Sequence, residues 1–425
     1  MKYKISTLPN NLKVVTAEMP EAYSATVSVA VGVGSRYENL KDNNGVSHFI
    51  EHLLFKGTKN RPSTRKITQK IDAVGGKTNA YTNNEMTDFF VRVPYQHIEI
   101  GMDVISDMVQ NPLFDPVEID KERNVVLEEM NVYLDDPSNY VHTLTPRLLW
   151  PDHPISYEIL GTEDVIRYIT PENIRQFHSK YYQPGNMVVS CAGRVKHEDM
   201  VKLAEKYFGD MKDENIEPFN KVGKKLSKRV VSEFEKDTAQ THMVIASRGY
   251  SYSSKNAAAA NVLATILGGG LSSRLFETVR EKKGLAYTIW AHTGNFIDTG
   301  EFEIYAGVNN NKAPEAIEAI IEELVKIANH KVGPVELNKA KQQLSGSLQM
   351  AMENNMVAAD RGATQLLLTG KVKSVEQTLA EIEKVTSEKV QEVAQEILSL
   401  DRLRLGIISP DPQPAATRFV QLTSK

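Results

Sequence analysis

The sequence predicts an α+β protein of two homologous domains, each a mainly antiparallel sheet packed with helices, on three observations. Its 425 residues exceed one ordinary domain and suit two of roughly 200. Val-rich runs of strand length alternate with capped helical segments. Pro116-Val117-Glu118-Ile119-Asp120-Lys121 recurs 218 residues later as Pro334-Val335-Glu336-Leu337-Asn338-Lys339, which marks a duplication. Residues 1–214 are expected to form the N-terminal domain and 229–425 the second copy. The polar, charged stretch around Pro218 makes 215–228 the linker.

In chain order, Leu12 to Ala17 and Ala25 to Val33 read as strands joined by a turn at Pro20. Val46 to Phe55 holds no Gly or Pro and lies between Gly45 and Gly57, which predicts a helix. Ser63 can cap a second helix, whose Ile67, Ile71 and Val74 recur at helical spacing before Gly75-Gly76. Lys77 to Thr82 and Thr87 to Val93 read as strands around Asn83-Asn84, followed by a helix near His97 to Val109. Asp115-Pro116-Val117-Glu118 places a cap, a first-position proline and a first-turn acid in order, opening a helix to about Tyr133. A helix at Thr170 to Tyr182, a strand at Met187 to Ala192 and a helix at Lys196 to Phe208 close the first half.

Composition narrows the function. A balance of 50 basic against 54 acidic side chains gives no electrostatic case for nucleic acid. The longest apolar runs are too short to span a bilayer, so no membrane partner is expected. The single Cys191 excludes an internal disulfide and a cysteine-rich zinc site, leaving His and carboxylate as metal donors. Met1 to Ser6 shows neither a signal nor a transit pattern, so a cytoplasmic protein is expected.

The chemistry starts at His48-Phe49-Ile50-Glu51-His52, an H-x-x-E-H motif. Helical spacing puts both imidazoles on one face with Glu51 beside them. A core helix with two satisfied histidines is the structural alternative, but two histidines at i and i+4 around a carboxylate favour a metal. On the later helix Glu122, Val126, Glu129 and Tyr133 share a face, while Glu128 fits a solvated surface. The 218-residue offset carries His48–His52 onto Ile266–Gly270, Glu122 onto Ala340 and Glu129 onto Ser347. Only the first copy therefore carries metal donors. Gly268-Gly269-Gly270 lacks the G-K-[ST] of a phosphate cradle.

On these residues the chain resembles the M16 (pitrilysin-type) metallopeptidases over essentially its whole length. It is most similar to single-chain bacterial members that resemble the mitochondrial processing peptidase β subunit. The resemblance implies a LuxS/MPP-like metallohydrolase fold. The 76 residues between His52 and Glu129 match the family spacing and pick out Glu129 rather than Glu128. The family's additional glutamate matches Glu122. Gly75 to Thr82 is similar to its substrate-binding edge strand, which implies substrate contacts at Asn79 and Ala80. Arg280 and Tyr287 match an Arg/Tyr pair that the ligand-free half lends to the site.

The implied activity is that of a zinc metalloendopeptidase with one Zn²⁺ per chain on His48, His52 and Glu129. Glu51 would be the base that activates water, with Glu122, Arg280 and Tyr287 assisting. The implied substrates are short or unfolded peptides, held as an added strand in a closed chamber that a homodimer forms. The alternatives are an inactive assembly protein of the same fold, a subunit of a heterodimeric peptidase, and a metalloenzyme acting on a non-peptide.

Overall fold

The middle of the first sheet is covered on both faces, one lined by valines and the other by small and hydroxyl side chains. The computed structural model describes residues 1–214, 216 and 219–424. Its first sheet contains β1 (Tyr3–Thr7), β2 (Lys13–Glu18), β3 (Ser24–Val31), β4 (Lys77–Thr82), β5 (Thr87–Pro94) and β6 (Met187–Gly193). They pair in the order β1-β2-β6-β3-β5-β4. Only β2–β6 is parallel. On β3, Val27, Val29 and Val31 share a core with α1 (Val46–Leu54), α2 (Thr64–Asp72) and α3 (Ile98–Gln110). The alternate residues Thr26, Ser28 and Ala30 point the other way, where helix Asn355–Thr369 covers them.

The second sheet contains β7 (Val231–Glu235), β8 (Thr241–Arg248), β9 (Ala286–Asn295), β10 (Gly300–Val308) and β11 (Arg404–Ser409). Its order, β7-β11-β8-β10-β9, repeats β2-β6-β3-β5-β4, including the parallel pair β7–β11. The duplication suggested by one short repeat is thus a duplication of topology, with β1 as an addition to the first copy.

The chain divides into two units that depart from the expected boundaries of 1–214 and 229–425 in two segments. The first unit is Met1–Met130, Tyr157–Asn220 and Leu348–Gln377; the second is Asn131–Ser156, Lys221–Ser347 and Thr378–Lys425. The physical reason lies in two long helices, α4 (Pro116–Asp135) and Pro334–Ala351. Each begins in one unit and delivers the next segment to the other. In the first unit, Asn355–Thr369 presents Ala358, Ala359, Gly362 and Ala363 to the sheet. In the second, Val141, Leu149, Trp150 and Ile155 pack on Val244, Ala246, Tyr305 and Ile408. Of the expected linker, Asn215, Glu217 and Pro218 lie outside the described residues. Asn220 is not a free tether, because Arg36 donates to its carbonyl at 2.9 Å.

Local expectations hold closely. The Ser63 side chain accepts from Lys66 N at the start of α2, and Asp115 accepts from Val117 N at 2.8 Å at the start of α4. α4 runs two residues beyond Tyr133, to Asp135. Among the described residues no helix is long and apolar enough to cross a membrane.

Candidate metal centre

α1 is built to hold polar groups at a fixed depth. It starts at Gly45, whose φ of 91° suits glycine. A Cβ there would stand 2.6 Å from Leu160 O. Gly45 has no capping side chain, and Glu38 supplies the cap from the preceding loop. Its carboxylate accepts from Gly45 N at 2.6 Å, Ser47 N at 2.8 Å and Asn44 Nδ2 at 3.0 Å. The bonds from Gly45 N and Ser47 N satisfy backbone donors that the helix start leaves unpaired. Burial is the largest influence on Glu38 and raises its pKa against those hydrogen bonds. α4 is locked beside α1 by Arg123, which donates to the carbonyls of Ile166 and Ile169 and lies 5.9 Å over the Phe49 ring.

Between these helices His48, His52 and Glu129 offer donor atoms that all lie within 4.8 Å of one another. His48 Nε2 is 3.8 Å from Glu129 Oε1 and His52 Nε2 is 3.4 Å from Glu129 Oε2. Two imidazoles and one carboxylate match the three-protein-ligand donor set of a catalytic zinc site. The outer contacts differ between the histidines. His52 Nδ1 lies 2.8 Å from Glu122 Oε1, whereas His48 Nδ1 is buried and meets no hydrogen-bond partner among the described residues. Glu122 Oε2 in turn lies 2.6 Å from Lys56 Nζ.

The electrostatics follow from these contacts. Burial, and then the His52 charge, lowers His48 to about 4. Burial also opposes the charge on His52, but its bonds to Glu122 and Glu129 outweigh it and raise the group to about 9. Burial works against the Glu122 charge too, yet His52 and Lys56 hold its carboxyl below the ordinary value. The His52 hydrogen bond does the same for Glu129. Glu51 stands apart from the donor set. Burial raises its carboxyl, and its Oε2 accepts from Thr82 Oγ1 at 2.7 Å.

The other expected residues fall as follows. β4, which carries Asn79 and Ala80, is an edge strand that pairs only with β5 among the described residues. Asn79 is exposed and Ala80 buried, and Thr82 of the same strand reaches Glu51. Arg280 and Tyr287 belong to the second unit, whereas the His-His-Glu cluster belongs to the first. They meet each other, with the Arg280 guanidinium 5.4 Å from the Tyr287 ring centre and 4.6 Å from that of Phe276. Tyr287 is 70% exposed. Arg280 sits in a short helix, Phe276–Lys282, wound wide enough for Lys283 N to reach Thr278 O, a feature frequent at functional sites.

Sequence reasoning missed Glu38 and Lys56. Lys56 had a usable signal, because it lies four residues after His52 and so on the same face. Glu38 had none, since its cap bridges an irregular loop.

Fold and cluster together define a class: a duplicated α+β protein in which one half gathers two histidines and a glutamate. A family model described as Insulinase (Peptidase family M16) matches residues 13–163, and one described as Peptidase M16 inactive domain matches 168–344. An uncharacterized zinc protease of Streptomyces coelicolor is 36% identical over 97% of this chain and 91% of its own length. Another, of Bacillus subtilis, is 34% identical over 95% and 97%. The chain belongs to the M16 peptidase family. A protease crystal structure from Helicobacter pylori superimposes with a TM-score of 0.90 at 25% identity, covering 96% of this chain and 100% of that one. A peptidase M16 inactive domain structure from Pseudomonas fluorescens gives 0.89 at 19% identity, covering 97% and 98%, and shares the fold.

Proposed function

We propose that this chain is a zinc-dependent endopeptidase that hydrolyses short or unfolded peptides held as an added strand along β4. It works as a homodimer that encloses its substrate in a chamber. The observation that carries the reading is the convergence of His48, His52 and Glu129, with Glu51 on the same helix but outside the donor set.

His48, His52 and the Glu129 carboxylate would hold the metal. Zinc, when bound, supplies a Lewis acid that lowers the pKa of water from about 15.7 to roughly 7. Glu51 takes the proton of the attacking water and returns it to the leaving amine. Thr82 keeps one Glu51 oxygen occupied, leaving the other for that transfer. The upward shift of the Glu51 carboxyl suits a base that must also act as an acid. Along β4 the backbone at Asn79 and Ala80 accepts a peptide as a further strand, which tolerates many sequences. Arg280 and Tyr287, contributed by the other subunit, steady the peptide and its developing oxyanion.

The test is Glu51→Gln. Zinc content stays at one per chain, while cleavage of a quenched-fluorescent peptide mixture falls about 10²- to 10⁴-fold. A variant that still cleaves well removes Glu51 from the base role, and a wild-type chain without stoichiometric zinc overturns the metal reading.

A further inference from the structure

Lys56 follows the end of α1, one helical turn beyond His52, and takes no part in the roles assigned above. Its ammonium is 2.6 Å from Glu122 Oε2, and Glu122 Oε1 is 2.8 Å from His52 Nδ1. Glu122 is 4% exposed, and the Lys56 side chain 28%. Both oxygens of this buried carboxylate are therefore occupied, one by the imidazole and one by a partly exposed cation. A carboxylate on a metal-binding imidazole fixes the tautomer and the ring orientation. That control is only as firm as the hold on the carboxylate itself. A buried carboxylate without its cation either turns to another positive group or leaves an oxygen unpaired at a cost. A metal held by His52 would be one such positive group. No second anchor compensates, because His48 Nδ1 has no partner among the described residues.

We propose that Lys56 is a positioning residue of the metal centre. By holding Glu122 Oε2 it keeps Oε1 on His52 Nδ1, so that the imidazole presents Nε2 to the metal and Glu122 stays out of the ligand set. The proposal rests on the zinc reading above. Lys56 acts through Glu122 and touches no substrate.

The experiment measures the zinc dissociation constant of the full chain by competition with a chromophoric chelator. The variants are Lys56→Met, Lys56→Arg, Glu122→Gln and the Lys56→Met/Glu122→Gln pair. Methionine keeps an apolar stem of similar length while removing the charge, and circular dichroism of the metal-free chain checks folding. Lys56→Met should weaken zinc binding about 10- to 100-fold. Lys56→Arg should restore most of it, and Lys56→Met should add nothing measurable in the Glu122→Gln background. The absorption spectrum of the cobalt-loaded chain should shift in Lys56→Met, reporting an altered ligand arrangement. A purely structural salt bridge predicts instead a lower melting temperature of the metal-free chain with an unchanged zinc constant and cobalt spectrum. That outcome overturns the proposal, as does an equal loss in the Glu122→Gln background. If wild type binds zinc and Lys56→Met binds it equally well, only this inference fails. If wild type binds none, the zinc reading fails with it.

Discussion

After the strand that ends at Val31 and after the one that ends at Arg248, the chain enters a helix against its own sheet, and the two helices serve different ends. α1 carries His48, Glu51 and His52 toward Glu122 and Glu129 on α4. Helix Ala257–Gly268 reads Ala-Ala-Ala-Ala-Asn-Val-Leu-Ala-Thr-Ile-Leu-Gly, without a titratable side chain. It spends its position on close packing: a Cβ at Gly268 would stand 2.2 Å from Ala291 N on β9. The triple glycine begun there is thus a packing device. Its neighbours are held by Gln343 on Gly269 O and Lys339 on Ser272 O. Polar donors under a sheet persist only where a second element supplies partners. The long helix of the first half supplies two carboxylates, whereas the equivalent positions of the second half are Ala340 and Ser347.

The comparison breaks most severely at Glu129. Glu129→Ser installs the residue of the other half, and it should weaken zinc binding by more than about 100-fold, beyond an outer-contact change. Metal analysis of the purified chain checks this, and retained stoichiometric zinc would mean the halves do not differ in the way described.

Each sheet also buries a carboxyl, Asp88 in the first and Glu303 in the second, and burial raises Asp88. Asp88 accepts from Ser28 Oγ at 2.5 Å, and its pKa rises from 3.8 to about 8. The folded chain therefore holds this proton more tightly than the unfolded chain between about pH 4 and 8. Stability from this group is full at the acid end of that window and is lost as pH rises, by at most about 1.4 kcal/mol per unit. Asp88→Asn removes that slope, so chemical denaturation should show the variant gaining on wild type as pH rises from 5 to 8. A constant difference would disprove the assignment.

The exchanged segments make the smallest, most local test. Asn355 donates to Ser24 O at 2.9 Å and accepts from Thr26 Oγ1 at 3.1 Å, tying its helix to β3. Asn355→Ala removes both bonds, Ser24 O keeping only its bond from Arg194 N, and should lower unfolding free energy by about 1 to 3 kcal/mol. Urea titration reads it, and an unchanged midpoint would show that this contact does not secure the helix.

Much of the fold was legible because its signals are local. The caps at Ser63 and Asp115 act within three residues of themselves, and β4 spans the expected Lys77–Thr82. What failed were pairings between distant residues. Nothing in the periodicity of Leu348–Gln377 says that it belongs with the first sheet rather than the second. The turn at Pro20 joins two strands, but β6, more than 150 residues later in the chain, lies between them.

The same division runs through the candidate metal centre. The sequence alone determined which residue types stand on one helical face, because the 3.6-residue turn converts spacing into direction. That was enough for His48, Glu51 and His52, and the repeat alone showed which half lacks donors. Only the tertiary structure decided that Glu129 faces both histidines, that Glu122 and Lys56 hold His52 in series, and that Glu38 caps the helix beneath them. Those contacts join elements separated along the chain, and their energies depend on burial and distance, which no local pattern encodes.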